Sequence, residues 1–476
     1  MIKNTIKIIC FIAIFVTLLW FSSRALRFKN ENGIYQGDSF YEQKTNSIDV
    51  IFLGSSHVHY NVNPAILYNE YGIAAYNFTS GSQPIWSTYH YLIEVLKYQK
   101  PKLIALESYI IAASRTNVVD YQIVAATYAL KWSENRINSL KVTAAERFDE
   151  FINPMYRYHN RYKDLKPEDF VPYANNYNHY KYFKGYSFHN KTFPVKEPNI
   201  KNIKDSLPLL EQQETYYRKI LELAKTNNIP IVVIASPFPM TDEEAMHFNR
   251  VGEIAKEYDV PFMNFNHYYD DYDLDFWRDY NDSGHLNYKG VQKYTSFLGK
   301  YLKDNYDLPD RRGDTNYYAW ERNALYEYNK VYDMGLRDTD NIYDYIEKIT
   351  NLNDYTIVIN MLGEYSTNDN VVKSLYSNFN ITNEMYTNNV SYVIDKNKLV
   401  FSSMGETNYI YYKELNKYND LAIDSGNRIL ISRSNLRETT NGVNIIVYDN
   451  ITSEVVDYFD LPYTNDSISE TIERDY

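Results

Sequence analysis

The chain has 476 residues, 44% hydrophobic and 23% charged, a balance that excludes a disordered protein and leaves room for two domains. A formal net charge of −12 provides no basic face for phosphate backbones and excludes a nucleic-acid partner. The single cysteine, Cys10, excludes a disulfide framework and thiol chemistry in the folded part.

Residues 8–21, IICFIAIFVTLLWF, form an apolar run flanked by Lys3 and Lys7 on one side and Arg24, Arg27 and Lys29 on the other. Ser22 and Ser23 extend it to 8–23 and Lys7 can snorkel, which brings the run near the ~20 residues that cross a bilayer. No small-x-small cleavage motif comes after it. The expectation is an uncleaved transmembrane signal anchor with a cytoplasmic tip, together residues 1–30. Positive charge on both flanks leaves its orientation undecided.

A buried strand is expected at 48–53, bounded by Gly54, Ser55 and Ser56. Asn63-Pro64 then opens a helix that Gly72 ends, and 75–78 reads as a second strand. A helix over 83–99 and a strand at 102–106 come next. From 110 to 203 the pattern becomes helical and rich in tyrosine, an insert beside the sheet. Alternation of helix and strand resumes with Tyr217, Ile220, Leu221 and Ala224 on one helical face, a strand at 230–235, a helix over 242–258, a strand at 261–265 and a closing helix over 290–301. This is α/β, a doubly wound and mostly parallel sheet spanning residues 31–305. Residues 306–316 contain Pro and Gly among polar residues and read as a linker. Beyond it, 317–350 looks helical, and 355–360, 390–394, 398–402, 428–432 and the hairpin 443–448 with 454–458 look like strands. Residues 317–476 are expected to form a helical segment plus a smaller β-rich accessory domain.

Each parallel strand delivers the residues after it to the carboxyl edge of the sheet, where open α/β folds place their sites. Ser56 stands there. A serine hydroxyl needs an imidazole to take its proton and a carboxylate to orient that imidazole, and Asp282 and His285 offer both within one turn of chain. Asp282-Ser283-Gly284 before a helix also fits an ordinary N-cap. The acidic loop Asp270, Asp271, Asp273, Asp275, Asp279 lacks the Gly and Glu that a calcium loop places at its sixth and twelfth positions. No zinc motif, phosphate-cradling loop or dinucleotide fingerprint is present, so the expected chemistry uses no metal and no cofactor.

Gly54-Ser55-Ser56 and Asp282-Ser283-Gly284-His285 together resemble the SGNH (GDSL-type) hydrolase superfamily, in particular its membrane-anchored branch that modifies bacterial cell-surface polymers. The resemblance covers about residues 45–305. It implies Ser56 as nucleophile, His285 as base and Asp282 as its orienting carboxylate. Tyr76-Asn77-Phe78-Thr79-Ser80-Gly81 fits the second block, so the backbone N–H groups of Ser56 and Gly81 are the implied oxyanion hole. The third block, Gly-x-Asn-Asp, is replaced by Glu107-Ser108-Tyr109. Ser55, His57 and Glu107 are expected to line the cleft, and His59 beside them. The implied activity is that of an extracytoplasmic serine esterase or O-acyltransferase working on acyl esters, acetyl above all, of a cell-surface polysaccharide or teichoic-acid-like polymer. The alternative is a non-catalytic accessory protein that docks a membrane-bound acyltransferase or a glycan. The C-terminal strands resemble the interleukin-like/PANDER-like domain attached to glycan-acting enzymes, which implies glycan or partner binding.

Overall fold

The computed structural model describes residues 2–26, 32–113, 118–152, 158–166, 169–170, 183–363, 365–382, 389–404, 406, 408–416, 419–425, 428–431, 434–437, 441–464 and 466–474. The chain divides into two compact units, Met1–Ala324 and Leu325–Tyr476.

In the first unit, β1 (Val50–Leu53), β2 (Ala75–Asn77), β3 (Leu103–Glu107), β4 (Ile231–Ala235) and β5 (Phe262–Asn264) make one parallel sheet in the order β2-β1-β3-β4-β5. Every residue of β1, β3 and β4 is buried, as continuous Val, Ile and Leu runs require when a sheet is covered on both faces. Local chemistry starts and stops the crossover helices. The Asn63 side chain accepts from the Ala65 N–H ahead of helix Pro64–Tyr71, and Gly72 at φ 70° ends it. Thr241 and Glu244 form a capping box on helix Asp242–Glu257. Helix Glu211–Thr226 turns Tyr217, Ile220, Leu221 and Ala224 inward. Many of the tyrosines serve as core residues whose hydroxyls find backbone acceptors. Tyr76 donates to the Gln36 carbonyl at 2.7 Å and Tyr217 to that of Val251 at 3.3 Å. The strand order reverses direction between β1 and β3, the place where such sheets open a crevice.

Part of the expected insert (114–117, 153–157, 167–168 and 171–182) lies outside the described residues; among the described ones it is helical only in its first part. Helices Asp120–Tyr128 and Glu134–Ala144 and shorter turns occupy it up to Asp164, but residues 183–210 contain neither helix nor strand. Within them the Phe193 and Val195 N–H groups bond to the loop before His285, and the Ser187 N–H to the His59 carbonyl. Residues 306–316 also differ from a linker. Arg311 makes a two-pronged ion pair with Asp49 at 2.8 Å, just before β1, and the indole N–H of the fully buried Trp320 donates to the Ala75 carbonyl of β2 at 3.0 Å. The unit boundary falls later, inside helix Tyr318–Arg337. Near the N-terminus, helix Ile2–Leu26 includes Lys3–Leu26, a segment long and apolar enough to cross a membrane.

In the second unit, a six-stranded antiparallel sheet has the order β15-β14-β13-β6-β7-β8: β6 (Tyr355–Leu362), β7 (Val390–Asp395), β8 (Lys398–Ser402), β13 (Gly442–Asp449), β14 (Glu454–Thr464) and β15 (Ser467–Ile468). Ile357, Ile359 and Met361 of β6 face helices Ile342–Thr350 and Asn370–Asn378, while Val358 between them meets Leu421, Ile423 and Ile429 of the other sheet. That second sheet is antiparallel too, ordered β12-β11-β10-β9 from β9 (Ile410–Glu414), β10 (Asp420–Asp424), β11 (Ile429–Ile431) and β12 (Ser434–Arg437).

Candidate active site

β1 ends at Gly54, whose φ of +153° is a conformation that residues with a Cβ rarely adopt. A Cβ there would also stand 2.8 Å from Cβ of Glu107 and 3.0 Å from Val58. Glycine therefore lets the chain turn sharply from the strand into the one-turn helix Ser56–His59, with Ser56 at its first position and half-buried at the carboxyl edge of the sheet.

The second half of the site comes from the loop after β5. The Asp282 carboxylate accepts the backbone N–H of Gly284 and of His285, each at 2.9 Å, and its oxygens lie 2.9 and 3.0 Å from Nδ1 of His285. Nε2 of the same ring is 2.9 Å from Oγ of Ser56. Burial alone would raise the Asp282 carboxyl, but hydrogen bonding and charge from His285, with the two backbone N–H groups, outweigh it and hold the group well below the usual carboxylate range. An ionised Asp282 fixes the proton on Nδ1 and leaves Nε2 to accept from the Ser56 hydroxyl, the geometry of a nucleophile, base and orienter. Asp282 thus does both things its sequence allows, capping the turn and orienting the ring.

Two asparagines hold this loop against the rest of the unit. Asn61 Oδ1 accepts the Leu286 N–H at 3.0 Å. The Asn287 amide donates to the carbonyls of Lys191, Arg278 and Tyr280, while its oxygen caps helix Tyr288–Asn305. Tyr60 packs edge-on to His285 at 4.8 Å between ring centroids and to His189 at 4.3 Å. None of these four residues was marked by the sequence. Only Asn287 carried a visible signal, as an N-cap ahead of an amphipathic helix.

The remaining expected residues are placed differently. Ser55, His57 and Glu107 are all but fully buried, so they pack beneath the elbow and do not line an open cleft. His57 stacks on Tyr109 at 3.9 Å and its ring centre is 5.0 Å from that of His285. His59 is completely buried with Nδ1 3.1 Å from Thr79 Oγ1, and burial, followed by the charges of His285 and His189, holds it well below the ordinary histidine range. Burial pushes the Glu107 carboxyl up to about 8, against backbone hydrogen bonds from Tyr109, Ser236 and Ser108. Its Oε2 has no hydrogen-bond partner among the described residues. The Gly81 N–H is directed at the Asn32 carbonyl at 3.4 Å, so the structure does not bring it to Ser56 as an oxyanion donor. Among the described residues, no group of three or more His, Cys, Asp or Glu is arranged to hold a metal ion.

No protein-family model matches the sequence, and no curated protein matches it. Among solved structures, the chain is similar to one from Bacteroides fragilis named as a putative acylhydrolase, with 12% identity and a TM-score of 0.27 over 57% of this chain and 94% of that one. A likeness at that level carries no weight beside the geometry of Ser56, His285 and Asp282.

Proposed function

We propose that the chain is a membrane-anchored serine esterase or O-acyltransferase of SGNH type, acting outside the cytoplasm on acetyl or related acyl esters of a bacterial cell-surface polysaccharide. The observation that carries this reading is the continuous path from Ser56 Oγ through the His285 ring to Asp282, built at the carboxyl edge of a parallel sheet. Ser56 Oγ attacks the ester carbonyl while His285 Nε2 takes its proton, and Asp282 stabilises the imidazolium that forms. The tetrahedral intermediate collapses, its carbon–oxygen bond breaks, and His285 returns the proton to the departing sugar oxygen. Water or a second sugar hydroxyl then attacks the acyl-serine by the same proton path in reverse. The Ser56 N–H, at the open start of its helical turn, serves the oxyanion. Helix Ile2–Leu26 is the anchor, and the second unit, Leu325–Tyr476, serves glycan or partner binding.

The absence of Gly-x-Asn-Asp and the engagement of the Gly81 N–H with Asn32 favour a second reading, an accessory protein that docks a membrane acyltransferase or a glycan without turnover. A fluorophosphonate probe separates the two. Labelling of the full chain that disappears in Ser56→Ala and falls sharply in His285→Ala supports the enzyme. A chain that is folded yet inert to the probe supports the accessory reading.

A further inference from the structure

The loop that carries Asp282 and His285 has a second face. Residues 193–197 run beside it, with the Phe193 N–H on the Tyr280 carbonyl and the Val195 N–H on the Phe276 carbonyl, both at 2.8 Å. Where they meet lies an open groove of about 810 Å³, lined by Pro194, Glu197, Asp270, Asp273, Asp275 and Trp277 among others. Trp277 is 72% exposed. Leaving so large an apolar face in water forgoes the burial that normally stabilises tryptophan, and beside a groove it presents a ring on which a ligand can stack. Its backbone is held in place: the Trp277 N–H donates to Asp275 Oδ1 at 2.8 Å, the Asp275 N–H to Asp279 Oδ2 at 2.7 Å, and Lys293 pairs with that same oxygen.

We infer that this groove binds an uncharged stretch of the glycan chain whose acyl ester reaches Ser56. The inference rests on the esterase or acyltransferase reading for what Ser56 does, and goes beyond it in naming where the polymer lies and which polymers fit. A flat indole face suits the C–H face of a sugar ring, and the surrounding carboxylates accept from its hydroxyls. Charge selects among polymers. The lining holds four carboxylates, Glu197, Asp270, Asp273 and Asp275, against one ammonium, Lys196. Lys201 and Arg278 approach Asp270 and Asp275 at 2.7 and 3.8 Å without reversing that balance. Phosphodiester and uronate chains are repelled, and so is an anionic bilayer surface. The groove also connects to the reacting atoms. The His189 carbonyl accepts the Tyr288 N–H and its ring packs against Tyr60, which touches His285, and the six steps from His189 to Val195 reach at most about 20 Å. A polymer lying along this segment would run from the groove toward Ser56.

The test uses the full chain in detergent. In a Ser56→Ala background, xylohexaose and N-acetylated chitohexaose are titrated while tryptophan fluorescence is followed, with hexagalacturonate as the anionic control. At least one neutral oligosaccharide should change the fluorescence, Trp277→Phe should remove that change, and hexagalacturonate should bind about tenfold more weakly or worse. With Ser56 intact, Trp277→Ala should raise KM for acetylated xylan about tenfold or more and leave kcat/KM for p-nitrophenyl acetate unaltered. Asp270→Asn/Asp273→Asn should narrow the gap between hexagalacturonate and the neutral chains. Binding without turnover of either ester would sustain the groove and sink the esterase reading. Turnover of p-nitrophenyl acetate with no response to either neutral oligosaccharide, or with KM for acetylated xylan unmoved in Trp277→Ala, would overturn the groove and spare the esterase.

Discussion

Glu107→Gln isolates the buried acid beneath the elbow. In the folded chain the carboxyl loses its proton at about 8, compared with 4.5 for an ordinary glutamate. A group that keeps its proton when folded and loses it when unfolded binds more protons in the fold, so the fold loses stability as the pH climbs from about 4.5 to about 8. The whole interval corresponds to at most about 5 kcal/mol, reduced by any water that reaches the charged form. Glutamine keeps an oxygen for the Tyr109 N–H and has no proton to lose. Urea titrations of wild type and Glu107→Gln at pH 5 and pH 9, with circular dichroism and the tryptophan signal followed together, give the double difference. The variant should be the less pH-sensitive by a few kcal/mol on the alkaline side, with activity of the wild type failing there sooner. Parallel shifts of the two midpoints between pH 5 and 9 would refute a protonated Glu107 and mean that water or a rearrangement solvates its charge.

Three further outcomes are expected. Ser56→Ala should abolish hydrolysis of p-nitrophenyl acetate while the far-ultraviolet spectrum stays unchanged, and Asp282→Asn should leave a remnant on the order of 10⁻⁴ of kcat because the base is mis-set without being removed. A chain covering residues 32–337 should fold, whereas one ending at Asn305 should not, since it loses Trp320 and leaves Asp49 buried without Arg311, changes that cost about 3–5 kcal/mol each. Equal solubility and equal thermal midpoints of the two would show those contacts to be dispensable. Fractionation checks the N-terminal helix: the full chain should stay with membranes until detergent is added, and a chain starting at Asn32 should not.

Much of the first unit was legible because its signals are local. Strand runs, Asn63-Pro64 and Gly72 each act within a few residues, and Asp282 finds His285 three residues away. The features missed depend on partners far along the chain. Gly81 looks like a free turn glycine until Asn32 takes its N–H, and residues 306–316 look like a linker until Arg311 meets Asp49, 262 positions earlier. Asn61 reads as ordinary loop until Leu286 arrives. In the second unit, helix Asn370–Asn378 and strands β9, β10, β12 and β15 were missed. They are short, most of them framed by Asn or Asp, and their order comes from packing against β6, β7 and β13, which no local propensity announces.

Asp282 and His285 share a single turn of chain, while Ser56 is fixed to the end of β1. A small swing of the loop against the sheet would therefore lengthen one contact, from Nε2 to Oγ, and leave the imidazole still protonated on Nδ1 and still aimed. Such a swing would disengage the base without unmaking it, and re-engagement would require no proton to be reshuffled. The bond from the Leu286 N–H to Asn61 Oδ1, one residue past His285, would resist that swing.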